Sequence, residues 1–361
     1  MNTQNVTEIY YSLNYWFEKY RSSWLSDSLN LFLLAPVSLA GVILNLTAFI
    51  ILSSREFNKK VLNTYLRIYV FNSLIVNVNG VLNFWPKTYR YFSFSNSEAS
   101  AFFFCFIFCP VLNTTVFTGS VLDTIISLER ASQFFKKYKL KPISSPKIVS
   151  SIVFLISFVF NFQYFFLYRP AYVDVTLDTK EVYRINYWKY HEFSLSLGGS
   201  ILNYIAYATR DVVLLMIENT ASISTVILLK RYFSNIKSKS YLTRIKTSSS
   251  VLNVSTVESS NHQEQNYNFN LISKADQKAT IMVLIMCILA TFEHMMFITM
   301  VTYLKYRQDV TGSLISIAAN FSVILKHFSN FILLYFFNKS FKEIFTKKWN
   351  SFKKFTLGRK C

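Results

Sequence analysis

The sequence predicts an all-α membrane protein, a seven-transmembrane helix bundle with a short C-terminal amphipathic surface helix. Hydrophobic residues make up 52% of the 361 residues and charged residues only 16%, too little charge to cover a soluble domain of this size. The apolar residues come in runs of about 20, the length needed to cross a bilayer core. Lys and Arg concentrate in alternate loops, which gives these runs one consistent orientation.

Seven runs of the chain are long enough to be transmembrane spans. The predicted spans are 29–52, 62–84, 100–128, 148–168, 200–229, 279–304 and 311–337. The second span is the least apolar because four asparagines interrupt it. They are Asn72, Asn77, Asn79 and Asn83. Amide side chains are costly in lipid, so we expect these four to face neighbouring helices.

The distribution of basic residues orients the spans. Of the 38 Lys and Arg residues, 26 fall in the three loops and the tail on one side, and 10 fall on the other side. The basic side is predicted to be cytoplasmic, which places the N-terminus outside the cell and the C-terminus inside. Asn5 begins a glycosylation sequon on that outer N-terminus. We expect a multi-pass protein of the plasma membrane, whose net charge of +19 reflects this topology rather than nucleic-acid binding.

The chain divides into one membrane domain and two terminal segments. Residues 1–28 form the extracellular N-terminus, and residues 29–337 form the membrane domain. Within that domain, the inner loop 233–273 is rich in Ser, Asn, Thr and Lys and is predicted to be disordered. The outer loop after span four alternates around residues 172–183, which predicts a β-hairpin. Residues 338–361 form the amphipathic helix and the cytoplasmic tail.

The segment that follows span seven changes from apolar to amphipathic. Its apolar face comprises Phe341, Ile344 and Phe345, and the surrounding lysines are Lys339, Lys342 and Lys347. A basic helix with one apolar face is typical of a helix that lies on an anionic membrane surface.

Three short patterns mark the first three spans. The first span contains Gly-Val-Ile-Leu-Asn, ending at Asn45, and the second opens with Asn-Thr-Tyr-Leu at residues 63–66. The third ends with Ser-Leu-Glu-Arg-Ala, in which Glu129 and Arg130 lie at the inner end of the span. Such an Arg can pair with its neighbour in a closed bundle and face a protein partner in an open one. The alternative is an Arg that only extends to the membrane surface.

A fourth pattern marks span seven and the helix after it. Asn330 is followed after 8, 11 and 15 residues by Asn338, Phe341 and Phe345. Together with the first three patterns, this spacing resembles that of rhodopsin-like (class A) G-protein-coupled receptors, of a divergent invertebrate type. In that family the motif Asn-Pro-x-x-Tyr precedes Asn-x-x-Phe-Arg/Lys-x-x-Phe. Here Phe331 replaces the Pro, and a Leu replaces the Tyr.

The resemblance implies a receptor that binds an extracellular ligand and activates a cytoplasmic heterotrimeric G protein. The G-protein coupling and switch residues that it implies are Glu129, Arg130, Lys136, Lys137 and Asn330. Where amine receptors carry a ligand-binding Asp, this chain has Leu112, so a monoamine ligand is disfavoured. A neuropeptide or other polar ligand is the first expectation, and an external chemosensory ligand is the second.

A group of polar residues within the spans forms a predicted intramembrane network. Its members are Asn45, Asn72, Ser73, Asp123, Lys326 and His327. By the resemblance, this region corresponds to the family's sodium pocket, whose Asp would fall at Ser73. We hypothesise that the Lys326 ammonium replaces the sodium ion and pairs with Asp123 or Glu293. The alternative is that Lys326 extends to the membrane surface, although a mid-span residue has far to reach.

A second group of ionisable residues lies in the outer halves of spans five and six. It consists of Arg210, Asp211, Glu293 and His294. By the resemblance, these residues line the ligand cavity. The alternative is an internal Arg210–Glu293 ion pair that holds the two spans together, and the sequence does not separate the two interpretations.

Other functional classes find less support in the sequence. A seven-span channel or transporter whose intramembrane charges line an ion path is one alternative, and a receptor-like protein that binds without signalling is another. The sequence contains no Gly-rich phosphate loop, no His-x-x-x-His and no Cys-x-x-Cys, so we expect no enzyme activity, metal or cofactor.

Overall fold

The computed structural model describes residues 28–57, 61–87, 98–134, 145–176, 182–228, 230–231, 259–306 and 310–357. Three predicted site residues, Asn5, Lys136 and Lys137, lie outside these ranges, as do residues 232–258 of the long inner loop. Within the described ranges the chain is almost entirely helical, with one β-hairpin between the fourth and fifth long helices.

The helices and strands follow one another in a simple order. The helices before the hairpin are α1 (Asn30–Leu52), α2 (Val61–Lys87), α3 (Glu98–Phe134) and α4 (Pro146–Phe166, its last turn a 3-10 helix). The hairpin consists of β1 (Tyr168–Thr176) and β2 (Val182–Tyr190). One helical turn, Glu192–Leu195, precedes α5 (Leu197–Leu228), α6 (Ser259–Tyr306), α7 (Val310–Phe337) and α8 (Lys339–Leu357). Single π-helical turns occur at Asn30–Leu34, Phe104–Phe108 and Ala208–Val213.

Six helices in the described part of the chain are long and apolar enough to cross a membrane. They are α1, α3, α4, α5, α6 and α7. The prediction of a multi-pass, helical membrane protein is confirmed to this extent. α2 has 27 residues and is not one of these six helices, because its asparagines lower its mean hydropathy. As predicted, those side chains are buried, with Asn77 fully enclosed and Asn72 5% exposed.

The helices pack side by side around a shared interior. α1 contacts α2 and α7, α2 contacts α3 and α7, α3 contacts α4, and α6 packs along α7. An apolar cluster fills the end of the bundle where α7 meets α8. Its buried members include Leu52, Leu66, Leu122, Met282, Leu333 and Phe341, one from each of six helices. Because lipid is itself apolar, close packing and polar contacts rather than hydrophobic burial hold such helices together.

The outer faces of α4 and α5 are apolar and exposed. Leu155 and Val159 on α4 are 61% and 65% exposed, and Met216 on α5 is 67% exposed. Apolar patches of this extent are rare on soluble monomers. They are the surface expected of helices that face lipid chains, in agreement with a bilayer environment.

The structure bears on two local predictions, the β-hairpin after span four and the disorder of the long inner loop. The hairpin is confirmed, since β1 and β2 pair in antiparallel register from Tyr168 opposite Tyr190 to Thr176 opposite Val182. The prediction of disorder for 233–273 is wrong over residues 259–273, which belong to α6. Neither Pro nor Gly occurs between residues 259 and 306, so a helix formed over the apolar span can extend through the polar segment before it.

Gly41 lets α1 and α2 approach closely. A Cβ atom at this position would overlap with the Asn77 side chain of α2, which donates a hydrogen bond from Nδ2 to the Ser73 carbonyl at 2.8 Å. We therefore expect Gly41→Ala to lower the free energy of unfolding by about 1–3 kcal/mol, the cost of overpacking a buried contact.

The matched control for this prediction is Gly198→Ala at the start of α5, where a Cβ atom would meet only the Ser196 Oγ at 4.0 Å. Alanine is the better helix former, so this control should be neutral or slightly stabilising. Thermal unfolding in detergent measures both variants. A Gly41→Ala protein as stable as its control would contradict the close approach of the two helices.

Candidate functional site

Two clusters of buried charged side chains lie inside the bundle. We call them the lysine cluster (Lys326, Asp123, Glu293 and Tyr69) and the arginine cluster (Arg210, Asp211, His294 and Asn113). The charged members of both clusters are at most 3% exposed. Burying charge this deeply is costly unless each charge meets a partner, so the geometry of the pairs decides what the clusters can do.

The lysine cluster joins three helices through one ammonium group and a fourth through a tyrosine hydroxyl. Lys326 Nζ of α7 lies 2.9 Å from Asp123 Oδ2 of α3 and 2.9 Å from Glu293 Oε2 of α6. The Tyr69 hydroxyl of α2 donates a hydrogen bond to Asp123 Oδ2 at 3.0 Å. The predicted pairing of Lys326 is therefore confirmed with both carboxylates. The alternative, in which Lys326 extends to the membrane surface, is wrong, since its side chain is 2% exposed.

The two contacts of the ammonium group are not equivalent. Asp123 Oδ2 receives both the charge of Lys326 and the hydrogen bond from Tyr69. Glu293 Oε2 lies at the same distance of 2.9 Å from the ammonium group, without a further donor such as Tyr69. The ammonium group thus connects α7 to α3 and to α6 at equal distances, and the Asp123 arm is tied to α2 as well.

A set of amide and histidine contacts adjoins the lysine cluster. Asn45 Nδ2 of α1 donates to the His327 carbonyl of α7 at 2.9 Å. Ser73 Oγ of α2 lies 2.8 Å from His327 Nδ1 and accepts a hydrogen bond from Asn330 Nδ2 at 2.8 Å. Asn72 Nδ2 reaches the Thr115 carbonyl of α3. The structure thus brings together the residues that the sequence predicted for the polar network, and it adds Asn330, which was predicted as a switch residue.

The arginine cluster is built on a local widening of α5. Arg210 Nε and Nη2 donate to the two oxygens of Asp211 at 2.9 and 2.8 Å. Adjacent residues of an α-helix point about 100° apart and do not normally face each other. Here both residues lie in the π-helical turn Ala208–Val213, where the helix departs from this regular spacing. This π-helical turn therefore coincides with the ion pair in which two guanidinium nitrogens of Arg210 meet the two carboxylate oxygens of Asp211.

The remaining contacts of Arg210 and Asp211 connect three helices. Arg210 Nη1 donates to Asn113 Oδ1 of α3 at 3.0 Å, and its guanidinium lies 4.5 Å from the Phe297 ring centroid of α6. Asp211 Oδ1 is 2.9 Å from His294 Nδ1 of α6. An ionised carboxylate can only accept, so this histidine nitrogen carries the proton. α5 is thereby linked to both α3 and α6.

The predicted group of Arg210, Asp211, Glu293 and His294 divides between the two clusters. The particular pair of Arg210 with Glu293 does not form, because Glu293 pairs with Lys326. A contact of the kind that this alternative described, between spans five and six, is made instead by Asp211 and His294 at 2.9 Å. The reason is geometric: successive residues on α6 point in different directions. Glu293 therefore faces α7 while His294 faces α5.

A small cavity lies beside the arginine cluster. Arg210, Asn113, Phe297 and Leu112 contribute to its lining, and its volume of about 20 Å³ is close to that of one water molecule. Leu112 lines this cavity with an apolar side chain. A larger ligand could enter only if the surrounding side chains moved.

Two contact residues of the clusters, and one carboxylate near them, complete the polar interior. Tyr69 and Asn113 make direct contacts to the charged groups, and neither was predicted from the sequence to do so. Glu218 of α5 is 1% exposed, and its Oε2 has no hydrogen-bond partner within the described chain. A buried Tyr needs a partner for its hydroxyl, which is the signal that could have pointed to Tyr69. Among the described residues, no group of His, Cys, Asp and Glu is arranged to hold a metal ion.

The predicted switch residues of α3 are only partly described. Glu129 is half-buried in the last turns of α3. Arg130 follows it in the same helix, where the structure describes the backbone of this residue but not its side chain. Their part in a switch stays a prediction.

No protein family matches the chain, and a search among curated proteins found no significant similarity.

Proposed function

We propose that this protein is a divergent receptor similar to the class A G-protein-coupled receptors, with α2 as a seventh transmembrane helix. It would bind a peptide or other polar ligand outside the plasma membrane and activate a heterotrimeric G protein inside. The observation that carries the proposal is the lysine cluster. This cluster joins α3, α6 and α7 close to Asn330. By the resemblance to class A receptors, a sodium ion would bind in this region. Lys326 would take the place of that ion.

The proposal requires α2 to cross the membrane despite its asparagines. At 1.5 Å per residue, its 27 residues span about 40 Å, more than the roughly 30 Å of a hydrocarbon core. Several of its polar side chains are hydrogen-bonded inside the bundle, as Asn72 and Ser73 illustrate. A helix whose polar groups are buried in protein can cross lipid at lower apolar content. Seven crossings then place the two termini on opposite sides.

The position of Glu293 on α6 supports a specific route of activation. Opening the inner face would require α6 to move away from α3 and α7. This movement would break the contact between Lys326 and Glu293, while the contact between Lys326 and Asp123 joins α7 to α3 and can persist. His294, the next residue, belongs to the arginine cluster near the small cavity. A ligand that displaced this histidine would act on the residue beside the α6 contact, and G-protein binding would favour the same open state.

The channel or transporter alternative has less support. The buried cations are paired with neighbouring carboxylates, and the cavity beside the arginine cluster holds about one water molecule. An ion path needs charges that face a continuous aqueous space. Whole-cell current recordings from cells that express the protein test this alternative. A current that rises with the amount of protein at the cell surface would favour a channel or transporter.

We expect Glu293→Gln to raise ligand-independent G-protein activation. Neutralising Glu293 weakens the contact that holds α6, so the ratio of open to closed protein should rise at least fivefold, within the range typical of allosteric coupling. The measurement is basal activation of a panel of G-protein biosensors, scaled to receptor at the cell surface. Glu192→Gln is the matched control, because its side chain is 78% exposed and pairs with Arg169 on the surface.

Topology is measured in the same cells with epitope tags at both termini and with Asn5→Gln. We expect an extracellular N-terminal tag, a cytoplasmic C-terminal tag, and loss of a glycan in the Asn5 variant. A cytoplasmic N-terminus would overturn the receptor proposal. A protein that reaches the surface in the expected orientation, but activates no G protein in any variant, would favour binding without signalling.

A further inference from the structure

A basic groove lies at the end of the bundle that the charge distribution assigns to the cytoplasm. Its volume is about 680 Å³, and it opens between α6 and α8, with the last residues of α7 beneath it. The residues that define it are Lys278 of α6, Tyr335 of α7, and Lys339, Lys342, Glu343 and Lys347 of α8. The α8 residues recur every three or four positions, so they share one face of that helix. We call this feature the basic groove.

The charges of the basic groove are mostly uncompensated. Four lysines line it with one carboxylate, Glu343, which lies 3.7 Å from Lys339. Lys278, Lys342 and Lys347 have no acidic side chain within ion-pair distance among the described residues. Lys342 instead lies over the Tyr335 ring, 5.5 Å from its centroid. Three exposed ammonium groups that converge on one space form a site for a ligand with several negative charges.

The groove lies where headgroups of a bilayer would be. The apolar helix α7 ends at Phe337, and Phe336, which also lines the groove, is 64% exposed on its outer surface. Phe341 is fully buried and fixes α8 against the bundle just beyond this point. Acyl chains could lie along Phe336 while the attached headgroup met the lysines. This continuity with the lipid-facing surface favours a lipid over a soluble anion or an acidic protein segment.

We propose that the basic groove binds the headgroup of a phosphoinositide, a phospholipid with phosphate monoesters on its inositol ring. A phospholipid headgroup with only a diester phosphate would leave most of the positive charge of the lysines uncompensated. Each phosphate monoester on an inositol ring supplies up to two more negative charges. The ammonium groups of Lys278 and Lys342 come from different helices, so a bound headgroup would bridge α6 and α8. The proposal goes beyond the receptor function and requires only that this end of the bundle faces an anionic leaflet.

The test measures lipid binding to the full-length protein purified in detergent. Short-chain phosphatidylinositol 4,5-bisphosphate is titrated, and the fraction bound is read by native mass spectrometry. We expect this lipid to bind at least tenfold more tightly than short-chain phosphatidylserine. The variant Lys278→Gln/Lys342→Gln/Lys347→Gln should bind it at least tenfold more weakly than the unmodified protein.

The control variant removes the same charge from the same region. Lys348, Lys353 and Lys354 are exposed lysines of α8 that do not line the basic groove. Replacing all three with Gln should change phosphoinositide binding less than threefold. Soluble inositol 1,4,5-trisphosphate should compete poorly, because it lacks the acyl chains that meet Phe336.

Three results would overturn the proposal, and each points to a different cause. Equal losses in the groove and control variants would mean attraction to overall charge without a site. Competition by inositol trisphosphate as effective as by the lipid would mean a site for a soluble phosphate. Unchanged lipid binding with lost G-protein activation in the groove variant would mean a surface for a protein. The first two results do not bear on whether the protein is a receptor, and the third applies only to a protein that activates a G protein.

Discussion

Replacing Lys326 with methionine is expected to lower the free energy of unfolding by about 3–5 kcal/mol, the typical cost of removing one partner from a buried ion pair. The substitution keeps the length of the side chain but leaves Asp123 and Glu293 without the cation that both contact. Two carboxylates then remain in a site with almost no exposure to solvent. Thermal and denaturant unfolding in detergent measures the loss.

A second set of variants separates the ion pairs from the packing of the lysine side chain. Asp123→Asn and Glu293→Gln remove the two carboxylate charges while keeping the shape of the side chains. Adding both to Lys326→Met should recover much of the lost stability, because a neutral buried cluster needs no cation. For residues in contact, coupling energies of about 0.5–3 kcal/mol are expected. Strictly additive effects would contradict the pairing of these three residues.

An exposed ion pair provides the control for this experiment. Lys339 lies 3.7 Å from Glu343 on α8, and its side chain is 81% exposed. Lys339→Met should change the stability by less than about 1 kcal/mol, since surface pairs are screened by solvent. A role of the lysine cluster in switching would appear as a change in basal G-protein activation at temperatures where the Lys326 variant stays folded. A purely structural cluster would change stability alone.

The sequence was sufficient for the general arrangement and for the existence of the lysine cluster. Apolar runs of membrane-spanning length define six of the helices. A lysine in the middle of such a run must find a partner, which made an ion pair at Lys326 predictable. The asparagines of α2 were predictable as inward-facing for the same reason. These inferences depend only on the cost of a polar group in lipid.

The identity of the partners could not be read from the sequence because it depends on the rotation of each helix. Glu293 and His294 are adjacent, yet the first meets α7 and the second meets α5. The π-helical turn in α5 is likewise invisible in a pattern of apolar residues, although Arg210 and Asp211 pair within it. A change of one residue in helical phase would have turned Glu293 toward α5 instead of α7.

The second large effect is expected at Arg210. Arg210→Met leaves Asp211 with His294 as its remaining partner and removes the contacts to Asn113 and Phe297. We expect a loss of about 3–5 kcal/mol in the free energy of unfolding, as for other broken buried pairs. Arg169→Met is the control, because Arg169 pairs with Glu192 at the surface and its side chain is 39% exposed. That variant should lose less than about 1 kcal/mol.

Arg210→Lys distinguishes the charge of this residue from its shape. A lysine ammonium can meet one oxygen of Asp211, but it cannot hold both oxygens and reach Asn113 as the planar guanidinium does. An unsatisfied buried polar group costs about 1–3 kcal/mol, so the lysine variant should lie between the unmodified protein and Arg210→Met. A lysine variant as stable as the unmodified protein would mean that the two-point contact of the guanidinium with Asp211 adds no stability. If the arginine cluster also takes part in switching, Arg210→Lys will alter basal G-protein activation more than its modest loss of stability explains. The reason is that Asp211 contacts His294, which directly follows Glu293 of the lysine cluster on α6.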